Sequence, residues 1–344
     1  MEPIGTLLFL YTETPLHAGT GTTLGSVDLP LQRERMSRLP VVQSSGVKGS
    51  LREIFRNKES EEQEKNVEEQ ERKVPQGLTV ALFGPEPPSG RANGTEEAAE
   101  SVTHAGALSI GDARLLLLPV RTVFGGWAWT TCPLILSRLV RDWECLGRAI
   151  PTWHGKVEDK LHASPKSDDS RIEKNRTLGL VSKFSRISPS NRLIIEDTEY
   201  PVQPDDVVVE LANWLKENAL PQTKTYEPFC NRLVKQLVVL TDEEFAFLSE
   251  HCTEVVTRIQ MDPQTGTVAK GALWTEENLP AESLLWSLAL ISKDRRPKGN
   301  KKPEDMLQNF TKLMEEGNRR LRLGGDRTIG RGMLSVRVSE GVPT

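Results

Sequence analysis

Arg319-Arg320-Leu-Arg322-Leu-Gly324-Gly325-Asp326-Arg327-Thr-Ile-Gly330-Arg331-Gly332-Met-Leu334 (RRLRLGGDRTIGRGML) decides how this chain is read. Five arginines and four glycines fall within fourteen residues, between a helical pattern and a run, Met333–Val338, that predicts the final strand. Glycine lets backbone N–H groups approach an anion without a Cβ in the way, and arginine neutralises the same anion with a bidentate fork. The spacing is not that of a Walker A loop, because no Gly-Lys-[Ser/Thr] follows and the loop opens onto a strand. Nor is it the dinucleotide pattern Gly-x-Gly-x-x-Gly. The density of both residue types predicts binding to a nucleic-acid backbone, against the plainer reading of a glycine-rich hairpin carrying solvated arginines.

The whole-chain charge points the other way, with 44 Lys+Arg against 48 Asp+Glu in 344 residues and a net charge of -4. Locally the balance changes. Residues 31–56 hold six basic and two acidic groups, 171–192 six and one, and 293–344 thirteen and seven, whereas 57–100 hold five and eleven and 193–292 six and seventeen. Basic islands set against acidic stretches can line a cationic groove on a soluble protein. Composition, with 37% hydrophobic and 27% charged residues, excludes collagen-like and wholly disordered chains. Cys132, Cys145, Cys230 and Cys252 form no Cys-x-x-Cys pair and read as reduced, mostly buried thiols rather than a zinc or disulfide framework. With no signal peptide and no apolar run of about 20 residues, the expectation is a cytoplasmic protein without a membrane partner.

Outward from the tail, Thr6–Tyr11 (TLLFLY) predicts a first strand, and His17–Asp28 (HAGTGTTLGSVD) a long Gly/Thr loop. Ser44–Phe55 reads as a helix entered through serine N-cap candidates, with Val47, Leu51, Ile54 and Phe55 on one face and Lys48 and Arg52 together on the next. Residues 57–75 and 85–101 look like polar insertions outside the core. Gly106–Pro119 predicts strand structure, and Pro133–Ala149 an amphipathic helix with Leu134, Ile135, Leu139 and Leu146 inward. Residues 151–192 suggest an extended arm or hairpin rather than core. Further on, Leu233–Leu240 predicts a strand, Thr241–Phe245 a capped helix start, and Thr253–Ile259 with Thr267–Leu273 a hairpin around Asp262-Pro-Gln-Thr-Gly266. Interleaved strands, helices and hairpins define an α+β fold.

Seven segments taken in order resemble a known family. Tyr11-Thr-Glu-Thr-Pro-Leu-His17-Ala-Gly-Thr-Gly, Val27-Asp28-Leu-Pro-Leu-Gln-Arg33-Glu, Pro40-Val-Val-Gln-Ser-Ser-Gly46-Val-Lys48-Gly49-Ser-Leu-Arg52, Leu82-Phe-Gly84, Thr253-Glu-Val-Val-Thr-Arg258-Ile, Ala272-Leu-Trp-Thr-Glu276-Glu277-Asn-Leu-Pro280 and Gly324–Gly332 are similar to a RAMP-superfamily backbone subunit of a type III-B CRISPR (Cmr) effector. That subunit polymerises along guide RNA and cuts target RNA. The resemblance implies a single elaborated domain, 1–344, with a ferredoxin-like (RRM-type) core and large insertions: 57–100, polar, and 151–230, the region of a thumb-like hairpin. It also implies as partners a guide CRISPR RNA, a target single-stranded RNA, copies of the chain in a filament and other Cmr subunits.

The same resemblance assigns residues. Lys48, Arg52, Gly324, Gly325, Arg327, Gly330, Arg331 and Gly332 become guide-RNA contacts. Asp28, in its Val-Asp-Leu-Pro setting, matches the cleavage aspartate, which would hold Mg²⁺ or Mn²⁺ or act as a general base. His17, in the same Gly/Thr loop, can carry a proton near neutral pH. Glu276 and Glu277 fall where the family places an acidic residue, with Glu276 preferred, while Asn278 replaces an aromatic often found there. The competing expectations are a non-catalytic, structural guide-binding filament subunit and an enzyme that matures guide RNA.

Overall fold

The computed structural model describes residues 3–22, 24–65, 77–85, 104–162, 179–315 and 320–339. Its first strand, β1 (Ile4–Thr12), is buried from Thr6 to Thr12, as a continuous apolar run demands when both faces are covered. On one side β1 pairs antiparallel with β12 (Leu284–Ile291) and on the other with β14 (Met333–Val338), which β13 (Arg320–Arg322) edges. Beyond β12 come the short β3 (Leu108–Ile110) and the long β4 (Ala113–Thr122), to which β2 (Val41–Val42) adds. The order β14-β1-β12-β4 is antiparallel throughout. Two helices cross it: α1 (Ser44–Glu64), after β1, and α8 (Pro303–Glu315), after β12. Phe55 of α1 stacks on Phe310 of α8 with ring centroids 5.6 Å apart, which ties the helix layer together over the strands.

The strand β4 belongs to two layers. It leaves β12 at Leu117 and takes up β5 (Gly126–Thr131) from Leu118, and Pro119, which has no N–H to give, sits just past the changeover. From β5 the sheet runs through β9 (Leu237–Val239), β6 (Gly179–Ser182), β8 (Thr198–Asp205) and β7 (Arg192–Ile195). The Thr122–Ile195 pair joins β7 back to β4 and closes a barrel-like ring of six strands. Helices α5 (Asp206–Asn218) and α6 (Glu227–Gln236) pack on this ring through fully buried Leu211, Leu215 and Leu233. The α+β class is as expected.

Several local expectations are corrected. The polar stretch from 57 stays helical to Glu64, and α2 (Leu78–Phe83), inside the supposed insertion 57–100, buries Leu78, Ala81 and Leu82; residues 66–76 and 86–103 lie outside the described residues. The N-cap of α1 is Gln43, not a serine, and the Ser44 N–H is satisfied instead by Asp112 Oδ1 at 2.7 Å. In α3 (Pro133–Cys145) the inward set is Ile135, Leu136, Leu139 and Val140, whereas Leu134 is 37% exposed. Residues 233–236 complete α6 rather than a strand. The described part of 151–192 is not an arm off the core: Trp153, Val157 and Leu161, around α4 (Lys156–His162), are buried, and β6 is an inner strand of the ring. The four cysteines are free thiols, but Cys145 is exposed.

Helix α7 (Asp242–His251) begins as expected, with the Thr241 hydroxyl accepting from the Glu244 N–H. It leads into β10 (Glu254–Met261) and β11 (Val268–Asn278), a two-stranded sheet of its own with Arg258 opposite Trp274 and Thr257 opposite Thr275. At its root Glu276, Glu277 and Asn278 of β11 are buried, whereas its tip is exposed. No helix among the described residues is long and apolar enough to cross a membrane.

Candidate active site

A cleft of about 330 Å³ opens where the hairpin root meets the two loops that follow β1 and precede β14. His17, Thr22, Asp28, Leu29, Arg258 and Glu276 line it, together with Trp274 and Asp326. Four stretches far apart in sequence are therefore brought together, and backbone hydrogen bonds register them. Leu16 and Leu279 exchange N–H and C=O at 2.9 Å, Leu29 N–H reaches Thr275 O at 3.0 Å, Glu277 N–H reaches Leu29 O at 3.0 Å, and Gly325 N–H reaches His17 O at 2.9 Å.

Asp28 is exposed at the cleft, and its carboxylate is oriented by one residue. Its Oδ2 accepts from the Thr275 N–H at 2.7 Å and from the Thr275 hydroxyl at 2.8 Å. These two bonds, backbone first, hold the carboxyl below the usual carboxylate range, so Asp28 is ionised at neutral pH. Its Oδ1 takes no hydrogen bond from another described residue. His17 places Nδ1 2.7 Å from the Glu277 carbonyl, which can only accept. The proton therefore sits on Nδ1, and Nε2 of the neutral ring is a proton acceptor.

Glu276 and Glu277 point apart, as neighbours on a strand must. Glu277 faces inward. Burial opposes its ionisation, but the Leu31 N–H, the Arg33 guanidinium at 2.5 Å and the Thr253 hydroxyl overcome it and lower its pKa. It is thereby fixed as the anchor of loop 28–34. Glu276 faces the cleft, with Oε2 3.3 Å from Arg258 Nε and Oε1 3.8 Å from Arg331 Nε and 3.9 Å from His17 Nδ1. Arg258 also reaches Asp326 at 2.7 Å, bridging the hairpin to the tail loop.

The glycine–arginine loop is placed beside this cleft, and its glycines divide by role. A Cβ on Gly324 would fall 2.2 Å from His17 O, and one on Gly332 1.9 Å from Leu323 O; both have positive φ. They let the loop close on the His17 backbone. Gly325 lies against the His17 ring, whereas Gly330 faces open space. Arg327 is held by Glu53 and Ser50 of α1, and Arg331 lies near Glu276; Arg319 lies outside the described residues. Lys48 and Arg52 are away from the cleft. Lys48 Nζ donates to Leu108 O at 2.7 Å, and burial, then neighbouring Arg52 and Arg295, lower its pKa. Arg52 donates to the carbonyls of Phe83, Gly84 and Pro85.

Among the described residues no three His, Cys, Asp or Glu side chains converge as metal ligands. Glu276 and Asp326, the other cleft carboxylates, are committed to Arg258. The described residues by themselves therefore do not form a cation cage around Asp28. Sequence reasoning missed Thr275, Arg258, Trp274 and Asp326 as parts of this site. The hairpin carries three of them, since its register sets Arg258 opposite Trp274 and brings Thr275 to Asp28, but the strand expected over Thr267–Leu273 stops one residue short of Trp274.

An ionised carboxylate, an imidazole acceptor and a guanidinium around one cleft are parts for proton transfer at an anionic ester. The chain belongs to the RAMP superfamily, whose model matches residues 9–335. The particular proteins it is similar to are Cmr4 subunits. It is 33% identical over 334 residues to the CRISPR system Cmr endoribonuclease Cmr4 of Pyrococcus furiosus, covering 97% of this chain and 95% of the relative. To the CRISPR system CMR subunit Cmr4 of Saccharolobus solfataricus it is 24% identical over 96% and 94% of the two chains. Among solved structures, oligomeric Cmr4 from Pyrococcus furiosus has the same fold, with a TM-score of 0.62 at 23% identity over 98% and 99% of the chains. So does a chain of the type III-B Cmr-beta complex bound to cognate target RNA, with a TM-score of 0.65 at 18% identity over 97% of each chain.

Proposed function

We propose that this chain is a backbone subunit of an RNA-guided type III-B effector in the cytoplasm, binding guide RNA along a filament of its own copies with other Cmr subunits. In this reading it cleaves complementary target RNA. One observation carries the catalytic half: Asp28, held ionised by Thr275 at the mouth of a cleft shared with His17, in a chain one-third identical along its length to a Cmr endoribonuclease.

RNA carries its own nucleophile, the 2′-OH beside each phosphodiester. Asp28 accepts the proton of that hydroxyl as the oxygen attacks phosphorus and closes a 2′,3′-cyclic phosphate, while the P–O5′ bond breaks and the leaving oxygen takes a proton from water. His17 Nε2 is the second proton-transfer group. Arg258 faces the charge that develops on the phosphate, and Glu276 acts through it as a positioning residue. Were Mg²⁺ or Mn²⁺ to take part, Asp28 would be the residue to hold it and the ion would supply charge stabilisation at the phosphate; among the described residues no set of three ligands would hold it without the RNA. Gly324, Gly325, Gly330 and Gly332 shape the tail loop that, with Arg327 and Arg331, lies along the RNA path, while Lys48 braces β3 and Arg52 the end of α2. We read β14-β1-β12-β4 with α1 and α8 as a ferredoxin-like core, from its order of strands and helices, and, in place of the region 151–230 where a thumb was expected, the β10–β11 hairpin as the thumb.

The test is a target RNA paired to guide along several subunits. Cuts at regular intervals, one per subunit, are expected; a single cut on a long paired target contradicts the filament reading.

A further inference from the structure

The basic island 171–192 has no part in the cleft, yet its described portion meets a second basic surface. Arg186, in the loop after β6, joins Asn231, Arg232, Lys235 and Gln236 of α6 around a cavity of about 240 Å³ that shares no lining residue with the cleft. Among the described residues none of Arg186, Arg232 and Lys235 has an ion-pair partner. Arg232 lies 5.3 Å over the Trp127 ring, and two residues before Arg186 in the chain Phe184 is 53% exposed, with Lys183, ion-paired to Asp206, 5.3 Å over its ring. At the cavity wall Gln236 is only 7% exposed. Its Nε2 donates to Gly125 O at 3.1 Å, while its Oε1 is buried without a partner. Native proteins rarely leave such an acceptor unpaired, and a small turn of the amide would present it to a donor in the cavity.

We propose that this cavity holds the ribose-phosphate backbone of a single-stranded RNA segment away from the scissile site. Arg186, Arg232 and Lys235 take phosphates, a ribose 2′-OH donates to Gln236 Oε1, and a base stacks on Phe184. A run of acidic side chains would answer the charges, but ionised carboxylates only accept and bring neither a ring to stack on Phe184 nor a side-chain donor for Gln236. The inference rests on the chain being an RNA-binding subunit, and it adds a second RNA surface to that reading.

The experiment uses the full chain carrying Asp28→Ala, so that RNA stays intact, and a labelled single strand of about 20 nucleotides followed by fluorescence anisotropy across a salt series. Arg186→Gln/Arg232→Gln/Lys235→Gln is expected to weaken binding about tenfold or more and to lower the salt slope by about two, at ~0.7 per lost phosphate contact. A control of equal charge loss, Lys293→Gln/Lys298→Gln/Lys312→Gln, should move neither as far. If the triple variant melts early, Arg186→Gln alone, on an exposed loop, should lower the slope by about 0.7. Affinity and slope equal to the control's overturn the proposal. So does a glutamate-rich peptide that binds the wild-type cavity and not the variant while RNA affinity is unchanged, since that makes the surface a protein-docking site. Target cleavage by the Asp28-intact complex is read separately, so failure of this surface leaves the nuclease reading standing.

Discussion

Thr275 holds Asp28 twice, through its N–H at 2.7 Å and its hydroxyl at 2.8 Å, and the Asp28 N–H returns a bond to the same hydroxyl at 3.0 Å. A carboxylate on a Gly/Thr loop is thereby given the orientation that regular structure would otherwise impose, and is kept charged by the donors that orient it.

Thr275→Val removes the hydroxyl and leaves the backbone donor. The Asp28 carboxyl then rises toward its ordinary value, because one of the bonds lowering it is gone. Cleavage should fall about tenfold, and the acidic limb of the pH–rate profile should move to higher pH. Single-turnover rates between pH 4 and 8 check this, and an unmoved limb would mean that Thr275 does not set the state of Asp28.

Glu277 and Glu276 are adjacent but should fail differently. Glu277→Ala leaves Arg33 buried without its carboxylate, at a cost of about 3–5 kcal/mol, visible as a lower midpoint in denaturant melts. Glu276→Gln keeps the shape and should melt near wild type while cleavage drops, because Arg258 loses one of its two carboxylates and keeps only Asp326.

Glu282 gives the fold a pH dependence of opposite sign to most carboxylates. Burial pushes its carboxyl up to about 7, and the Tyr11 hydroxyl donates to it. The folded state then binds a proton that the unfolded state has released. Its stability contribution is therefore full below the ordinary glutamate value and is lost as pH rises toward 7. Allowing for partial exposure, Glu282→Gln should gain about 1–2 kcal/mol on wild type between pH 5 and 8. Thermal melts of both proteins across that range measure it.

Substitutions in the tail loop should separate glycines that pack from one that is free. Gly324→Ala places a methyl into His17 O and Gly332→Ala into Leu323 O, so the first should shift the imidazole and lower cleavage and both should lower the melting temperature. Gly330→Ala meets open space at φ +87 and should cost only the strain of its backbone angle, about 1–2 kcal/mol. Parallel melts and cleavage rates distinguish the three.

The central strands were legible because their physics is local. TLLFLY buries both faces, so β1 could be read from its run alone, as could the capped start of α7 and the β10–β11 hairpin. The closed ring was not legible: β6 and β7 are four residues each, and the single Thr122–Ile195 pair that shuts the ring leaves no pattern in either strand. Leu233 misled because its apolar run spans the end of a helix and a three-residue strand. In the site, Asp28 and Glu276 were named through family resemblance and His17 from its place in the Gly/Thr loop, and the structure brings all three to one cleft. Thr275 and Asp326 escaped because their roles depend on what lies across the fold from them, 247 residues away in the case of Thr275 and Asp28.

The most direct test of the account is the single-turnover cleavage of guide-paired target RNA by the assembled complex carrying Asp28→Ala, with target affinity measured alongside. Loss of cleavage by about a hundredfold or more, with affinity and assembly unchanged, is the predicted result. Cleavage at the wild-type rate and at the wild-type positions would contradict it and make this chain a structural, guide-binding subunit.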